Sequence, residues 1–435
     1  MLAVNRTTIT RTLQDFGEEL VTVGAARSTR YLLRRDVRNI GSRWPIYRMD
    51  AKGRATAWAR LEALHDRAWR IEWNGQAPDW AELFTDGHGL WSGFPFFLQE
   101  IRPQGFLGRV VASKLGRALL LPEDPRQWSD QDTLIFLQAQ GEDLPGNLVI
   151  GDETLRRALA NSADFFVGNV IAPQQRKTAY PAFAAEISET LPGSSAGGEQ
   201  PKFLTTLADT DGSFRPVLVK FTAPLDQPAA RRWGDLLVCE FHAHQVLAEA
   251  GLACEGAELL DAGGRRFLEM TRFDRQGAGG RIGVISLESL ATSLLGSYPT
   301  VWTDAMPGLL SAGLVDENAQ AVVRLLQSFG DLIGNTDMHP GNLSFFLTDI
   351  IPLQVTPAYD MLPMLWALGA QGEIVTRRFA PSPPVPAMEE PWRQAAAMAE
   401  NFWSRVAADD RLTQDFSGIA AESHAIIQRL RRHVG

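Results

Sequence analysis

The densest chemistry in this chain lies in Gly334-Asn335-Thr336-Asp337-Met338-His339-Pro340-Gly341-Asn342. Asp337 and Asn342 stand in a D-x4-N spacing. Phosphoryl-transfer loops use that spacing: the carboxylate accepts a hydroxyl proton and the amide oxygen binds a metal. Asp360, in Ala358-Tyr359-Asp360-Met361-Leu362-Pro363, follows an apolar, β-like stretch 18 residues after Asn342. It can supply a second ligand to magnesium, which takes a few protein oxygens and completes its shell with phosphate. An Asx-rich turn would explain the loop taken alone, but the later aspartate favours the metal account. A histidine bonded to backbone is the plainer account of His339 than a general base.

A second group lies upstream. Lys220, in Val217-Leu218-Val219-Lys220-Phe221, is a lone cation on an apolar strand. Burying it is costly unless a carboxylate pairs with it. Glu240 shares a helix face with Leu236, Ala243 and Leu247 and could be that partner. A strand lysine and a helix glutamate at this distance match the way a phosphate-gripping lysine is held. Two unrelated side chains reaching for solvent would read the same way. Ser194-Ser195-Ala196-Gly197-Gly198-Glu199-Gln200-Pro201-Lys202 is small and glycine-rich, so backbone N–H groups can approach a phosphate. It lacks the Walker spacing, and a flexible turn remains the simpler account of this piece alone. His242 and His244 point apart on a helix, which excludes a metal site there.

The elements that must carry these groups follow from periodicity. Strand patterns cover Phe203–Leu207, Pro216–Phe221 and Phe267–Thr271, and a helix is predicted over 229–250. Ala319–Ile333, Pro391–Ala407 and Gly418–Arg432 read as helices, the first ending at the C-cap Gly334. Strands first and helices later predict two lobes. Upstream, Trp69–Trp73 alternates as a strand, 131–160 is helical with a break at Leu144–Asn147, and Ala182–Thr190 is a helix. Gly93–Phe97 and Arg102–Phe106 read as aromatic turns at core corners.

Composition narrows the class. The chain has 435 residues, 45% apolar and 21% charged, which suits folded domains. It has no run long and apolar enough for a membrane helix, so no membrane partner is expected. Its opening is too polar for a secretory signal. Two cysteines, Cys239 and Cys254, with no CxxC, exclude a disulfide scaffold and suit a cytoplasmic location. Net charge is −9, yet residues 1–48 hold nine Arg and only four acidic residues. Nucleic acid is therefore expected only at that head.

In the head, Ile9, Leu13, Phe16 and Leu20 form one helical stripe, N-capped at Asn5. Arg6, Thr7 and Arg11 lie on the opposite face. A hairpin from Leu20–Val23 to Thr29–Leu33 follows, with Arg27 and Arg30 near its tip. This resembles the recognition helix and wing of a winged helix-turn-helix, and those five residues are the candidate DNA contacts. The helices that normally come first are absent: either the natural start lies upstream or the head is a remnant. An amphipathic helix and hairpin packed on the next domain is the alternative.

Taken in order, the Gly-rich loop, Lys220, Glu240, NTDMHPGN and AYDMLP strongly resemble the HipA family of bacterial serine/threonine kinases. These are the toxin halves of type II toxin–antitoxin modules. The head together with SSAGGEQPKF is most similar to the YjjJ-type branch. The likeness runs from about residue 90 to 433. It implies an α+β fold, a two-lobed protein-kinase-like body with an N-terminal β-rich subdomain and a partial winged helix-turn-helix head. The expected divisions are a DNA-binding head at 1–48, the β-rich subdomain at 49–125, an N-lobe-like region with the Gly-rich loop at 126–275, and a helical C-lobe at 276–435.

The resemblance implies ATP and Mg2+ as cofactors. Asp337 would be the catalytic base, and Asn342 and Asp360 the metal ligands. Ser195, Gly197, Gly198, Lys202, Lys220, Glu240, Glu269 and Met270 would form the ATP site, the last two at an adenine hinge. Ser194 or Ser195 would be autophosphorylated, silencing the enzyme because a bound phosphate competes with those of ATP. The implied protein substrate is a translation factor or aminoacyl-tRNA synthetase, and the implied partner an antitoxin. The chain departs from the family at Gly341, where a lysine is common. That loses one cation near the transferred phosphate unless Lys202 replaces it. A small-molecule phosphotransferase, or a DNA-binding regulator with an ATP-sensing body, remain as alternatives.

Overall fold

The structure is a computed structural model that describes residues 6–24, 29–86, 88–103, 105–164, 170–190 and 200–434. The first helix, α1 (Arg6–Asp15), stops short of Phe16 and Leu20, two members of the expected stripe. Gly17 takes φ 50°, a left-handed conformation that glycine adopts without a Cβ clash. Leu20 then opens β1 (Leu20–Val23), which pairs antiparallel with β2 (Arg30–Leu33). This hairpin is no free wing. Val21, Val23 and Leu32 pack on Leu64 and Leu90, and Arg34 binds buried Glu62 at 2.7 Å. Among the described residues the head holds one α-helix and one hairpin, so no distinct winged helix-turn-helix stands out.

The first sheet contains β3 (Arg43–Met49), β4 (Ala55–Ala63), β5 (Trp69–Trp73), β6 (Leu90–Trp91) and β7 (Leu148–Ile150). Its order is β6-β5-β4-β3-β7. The sheet thus crosses the expected division at 48/49 and draws a strand from well beyond 125. The aromatic segments do reach the core: Trp69, Trp80, Phe96 and Phe97 are at most 2% exposed. They are not turns throughout, because Phe96–Glu100 forms α2 and Gly105–Leu119 forms α3. Two further helices, α4 (Asp130–Gln140) and α5 (Asp152–Asp164), flank β7. Ser129 and Asp132 close a reciprocal cap at the start of α4.

The second sheet is built from β8 (Val170–Ile171), β9 (Lys202–Ala208), β10 (Phe214–Phe221), β11 (Glu258–Ala262) and β12 (Arg265–Thr271). Its order is β11-β12-β10-β9-β8. Side chains alternate across it. Val217, Val219 and Phe221 pack under Tyr180 and Ala184 of α6 (Arg176–Thr190). Leu218, Leu268 and Met270 face Leu237 and Phe241 of α7 (Pro228–Glu249). Lys220 therefore points to the α7 side.

Two short hairpin strands follow, β13 (Arg275–Gln276) and β14 (Gly280–Arg281), then β15 (Val284–Ser286). The rest is largely helical: α8 (Leu287–Leu295), α9 (Trp302–Ser311), α10 (Glu317–Ile333), α11 (Glu389–Ala407) and α12 (Gln414–Val434). Between α10 and α11, β16 (Ser344–Phe346) pairs with β15. Phe329, Phe402 and Trp403, all fully buried, lock α10 onto α11. The architecture is a mixed α+β fold compatible with two kinase-like lobes. Among the described residues no helix is long and apolar enough to cross a membrane.

The β13–β14 hairpin docks on the turn between β3 and β4, where the Arg281 amide bonds the Asp50 carbonyl at 3.0 Å. A Cβ on Gly280 would overlap the Ala51 carbonyl oxygen. Gly280→Ala is expected to lower stability by about 1–3 kcal/mol, since backbone must move. Urea unfolding of the variant beside the parent measures this.

Candidate active site

Strand β10 delivers Lys220 into a dry position, 3% exposed. Its neighbours in register are Lys202 on β9 and Leu268 on β12. Helix α7 turns Glu240 to meet it, because Leu236, Ala243 and Leu247 bury the same face. Lys220 Nζ lies 2.5 Å from Glu240 Oε1 and also bonds Asp360 Oδ1. Among the described residues, the second oxygen of Glu240 is buried without a partner.

Helix α10 ends at Gly334, φ 77°, whose amide bonds back to Asp331. The next residues are held by side-chain-to-backbone bonds. Asn335 Oδ1 accepts from the Asp337 amide at 3.1 Å, and Asn342 Nδ2 donates to the Asp337 carbonyl at 2.9 Å. His339 Nδ1 accepts from the Gly341 amide at 3.2 Å, so this histidine is bonded to backbone. Asn335 Nδ2 also donates to the Asp360 carbonyl at 3.3 Å, tying the loop to the lysine trio. Asp360 itself has φ 54°, a strained value for a residue with a Cβ. Asp337 and His339 are exposed, Asn342 half-buried.

The electrostatics follow. Burial alone would raise Asp360, but Lys220 and Lys202 outweigh it and hold the carboxyl well below the usual range. Burial alone would lower Lys220, but Asp360 and Glu240 keep the ammonium charged to high pH. Burial pushes Glu240 up, opposed by Lys220. The cluster is thus a buried ammonium between two carboxylates, tied through Asn335 to the loop that carries exposed Asp337 and half-buried Asn342. Its arrangement can bind anionic oxygens at the lysines and a hard cation at Asp360 and Asn342, with a proton acceptor at Asp337.

Not every expected residue joins. The Glu269 side chain lies on the α6 face of the sheet, away from Lys220, because it alternates with Leu268 and Met270. There Tyr180 donates to it at 2.5 Å, and Arg176 and Arg215 neutralise it at 3.2 Å. As a side chain it is no part of the lysine cluster. Met270 is buried in apolar contact with Leu237 and Leu268. Ser194, Ser195, Gly197 and Gly198 lie outside the described residues, as do Arg27 and the side chains of Arg6 and Thr7. Arg11 is exposed. Arg30 is exposed but pairs with Asp86 at 3.2 Å. Two contributors were missed in the sequence. Asn335 was signalled by its Asn-x-Asp spacing, which favours an Asx turn. Tyr359, which donates to the Gly341 carbonyl at 2.9 Å, carried no local signal.

Comparison with known proteins gives the following. Residues 40–159 match the family described as YjjJ-like toxin, middle domain, and 194–428 the HipA-like C-terminal domain. The chain is 36% identical to Toxin YjjJ of Escherichia coli (strain K12), over all of this chain and 94% of that protein. Among solved structures it is similar to a chain of the Shewanella oneidensis MR-1 toxin–antitoxin complex of HipA, HipB and operator DNA. There the TM-score is 0.54 at 14% identity, over 89% of this chain and 97% of the other. That likeness bears on the fold alone.

Proposed function

We propose that this chain, which belongs to the HipA- and YjjJ-like family of toxin kinases, is an ATP- and magnesium-dependent kinase of protein serine or threonine. One observation carries the proposal: the Lys220 ammonium is bonded to both Glu240 and Asp360, and Asn335 ties that trio to the Asp337 loop. The donor set suits a magnesium nucleotide. Asp360 is held ionised by two lysines, and the Asn342 amide, its nitrogen spent on Asp337, has an oxygen left to offer. When bound, magnesium ATP supplies the transferable phosphoryl group and neutralises its charge.

Each residue then has a role. Lys220 offsets phosphate charge, and Glu240 keeps it aimed. Asp360 and Asn342 hold the metal. Asp337 orients the acceptor hydroxyl and takes its proton. Lys202 lies next to Lys220 in register and adds the cation that Gly341 lacks. Phosphorylation at Ser194 or Ser195 would set a doubly negative group before Lys202 and compete for the same donors. An antitoxin and operator DNA are proposed as partners, as in the Shewanella complex, with exposed Arg11 as the head's candidate phosphate contact.

Incubation with labelled ATP and magnesium tests this. Label is expected in the chain itself and in a protein from cell extract, with mass spectrometry locating it at Ser194 or Ser195. Label found only in a metabolite would favour the small-molecule phosphotransferase. No label, with salt-steep DNA binding, would favour the ATP-sensing regulator.

A further inference from the structure

A half-buried carboxylate outside the lysine cluster, Glu100, is bonded to the start of α8, the helix that abuts the same loop. Glu100 ends α2, whose Phe97 packs against Trp58 and Trp73 of the first sheet. Its Oε2 accepts from the Ser286 hydroxyl at 2.6 Å and from the Ser289 hydroxyl at 2.5 Å. Ser286 is the N-cap of α8, accepting from the Ser289 amide at 3.2 Å. One acceptor therefore fixes both hydroxyls of the first turn of α8.

That turn abuts the loop. The Leu287 amide bonds the Leu343 carbonyl at 2.8 Å, and Ser286 is in register with Ser344. Ser344 bonds the Tyr359 hydroxyl at 2.7 Å, and Tyr359 passes a hydrogen bond to the Gly341 carbonyl at 2.9 Å. Tyr359 is also the residue before Asp360. Glu288, next on α8, lies close enough that its Oε2 would be 3.2 Å from a Cβ at position 341. The first sheet is itself anchored to this half of the chain: Arg48 pairs with Asp349 at 2.6 Å, and Trp80 donates to the Thr348 carbonyl at 2.7 Å.

We infer that Glu100 is a positioning residue: it fixes the first turn of α8, which with Ser344 and Tyr359 holds residues 338–343 in place. The β-rich layer is then part of the catalytic unit. The activity readout rests on the kinase reading above, so a second readout independent of it is needed.

The experiment compares the full chain with Glu100→Ala, Glu100→Gln and Ser289→Ala. Amide hydrogen exchange of 338–343 is read first. It is expected to speed up in Glu100→Ala, less in Ser289→Ala, and to stay near the parent in Glu100→Gln, whose amide oxygen still accepts both hydroxyls. In phosphate transfer, Glu100→Ala is expected to lose on the order of 10²-fold in kcat, the size of effect of a small misplacement. Its KM for ATP should stay within about twofold, since uniform binding is untouched. Unchanged exchange at 338–343 in Glu100→Ala would overturn the inference. So would a uniform rise across the chain, which marks general destabilisation. If Glu100→Ala does not fold, Ser289→Ala carries the same exchange criterion. If the parent transfers no phosphate, the kinase reading fails and exchange alone decides the role of Glu100.

Discussion

Asp337→Ala is expected to lower phosphate transfer by about 10²–10⁴, the usual contribution of a positioned proton acceptor. The loop is held through the Asp337 backbone, by Asn335 and Asn342, and through the Gly341 backbone, by His339 and Tyr359. Those bonds do not need the Asp337 carboxylate, and the residue is exposed. Because the residue is exposed, stability is expected to change by only about 0.5 kcal/mol, the usual size at a surface position. Asp337→Asn keeps the shape but not the basicity, and the same loss is expected from it. Steady-state transfer of labelled phosphate, with unfolding curves beside it, checks both. Transfer by Asp337→Ala at the parent rate would remove the base assignment.

The parts of this site that were legible share one physical property: a charge in an apolar context. Lys220 sits between Val219 and Phe221, and Glu240 lies on a face with Leu236 and Ala243, so each demands a partner and the pairing can be guessed from local pattern. The Asp337 loop was legible because Gly334 stops α10 and the Asx residues close turns on themselves. What was not legible depends on distant pairing. The β7 strand has three residues and exists because Leu148–Ile150 find β3, a partner about a hundred residues away. Helix α3 carries Gly105, Gly108 and Gly116, whose low helix propensity hid it. Glu269 was assigned to an adenine hinge by the family resemblance, whereas strand alternation turns its side chain to Tyr180 and two arginines. Glu100 carries no local signal, because its partners Ser286 and Ser289 lie nearly two hundred residues away.

Lys220→Met is expected to abolish detectable transfer and to lower stability by about 3–5 kcal/mol, the cost of leaving a buried charge without its partner. Two carboxylates lose one ammonium, and Glu240, 2% exposed, has nowhere to turn. The pH dependence separates this cause from simple loss of packing. Asp360, held low by the lysines, adds stability that is present above the ordinary carboxylate range and lost as pH falls through its own lower value. Glu240 behaves oppositely. Burial raises it, so the folded state takes up its proton first, and lowering the pH relieves strain there. Without Lys220 the second effect grows and the first shrinks. The stability deficit of Lys220→Met should therefore narrow as pH is lowered from 7 towards 5. Adding Glu240→Gln should recover much of the deficit at neutral pH without restoring transfer, because an amide carries no charge to strand. Guanidinium unfolding of the single and double variants at several pH values measures both effects. A deficit that is flat with pH and indifferent to Glu240→Gln would mean that the lysine matters for its bulk, and the buried charge trio would no longer explain why Lys220 is there.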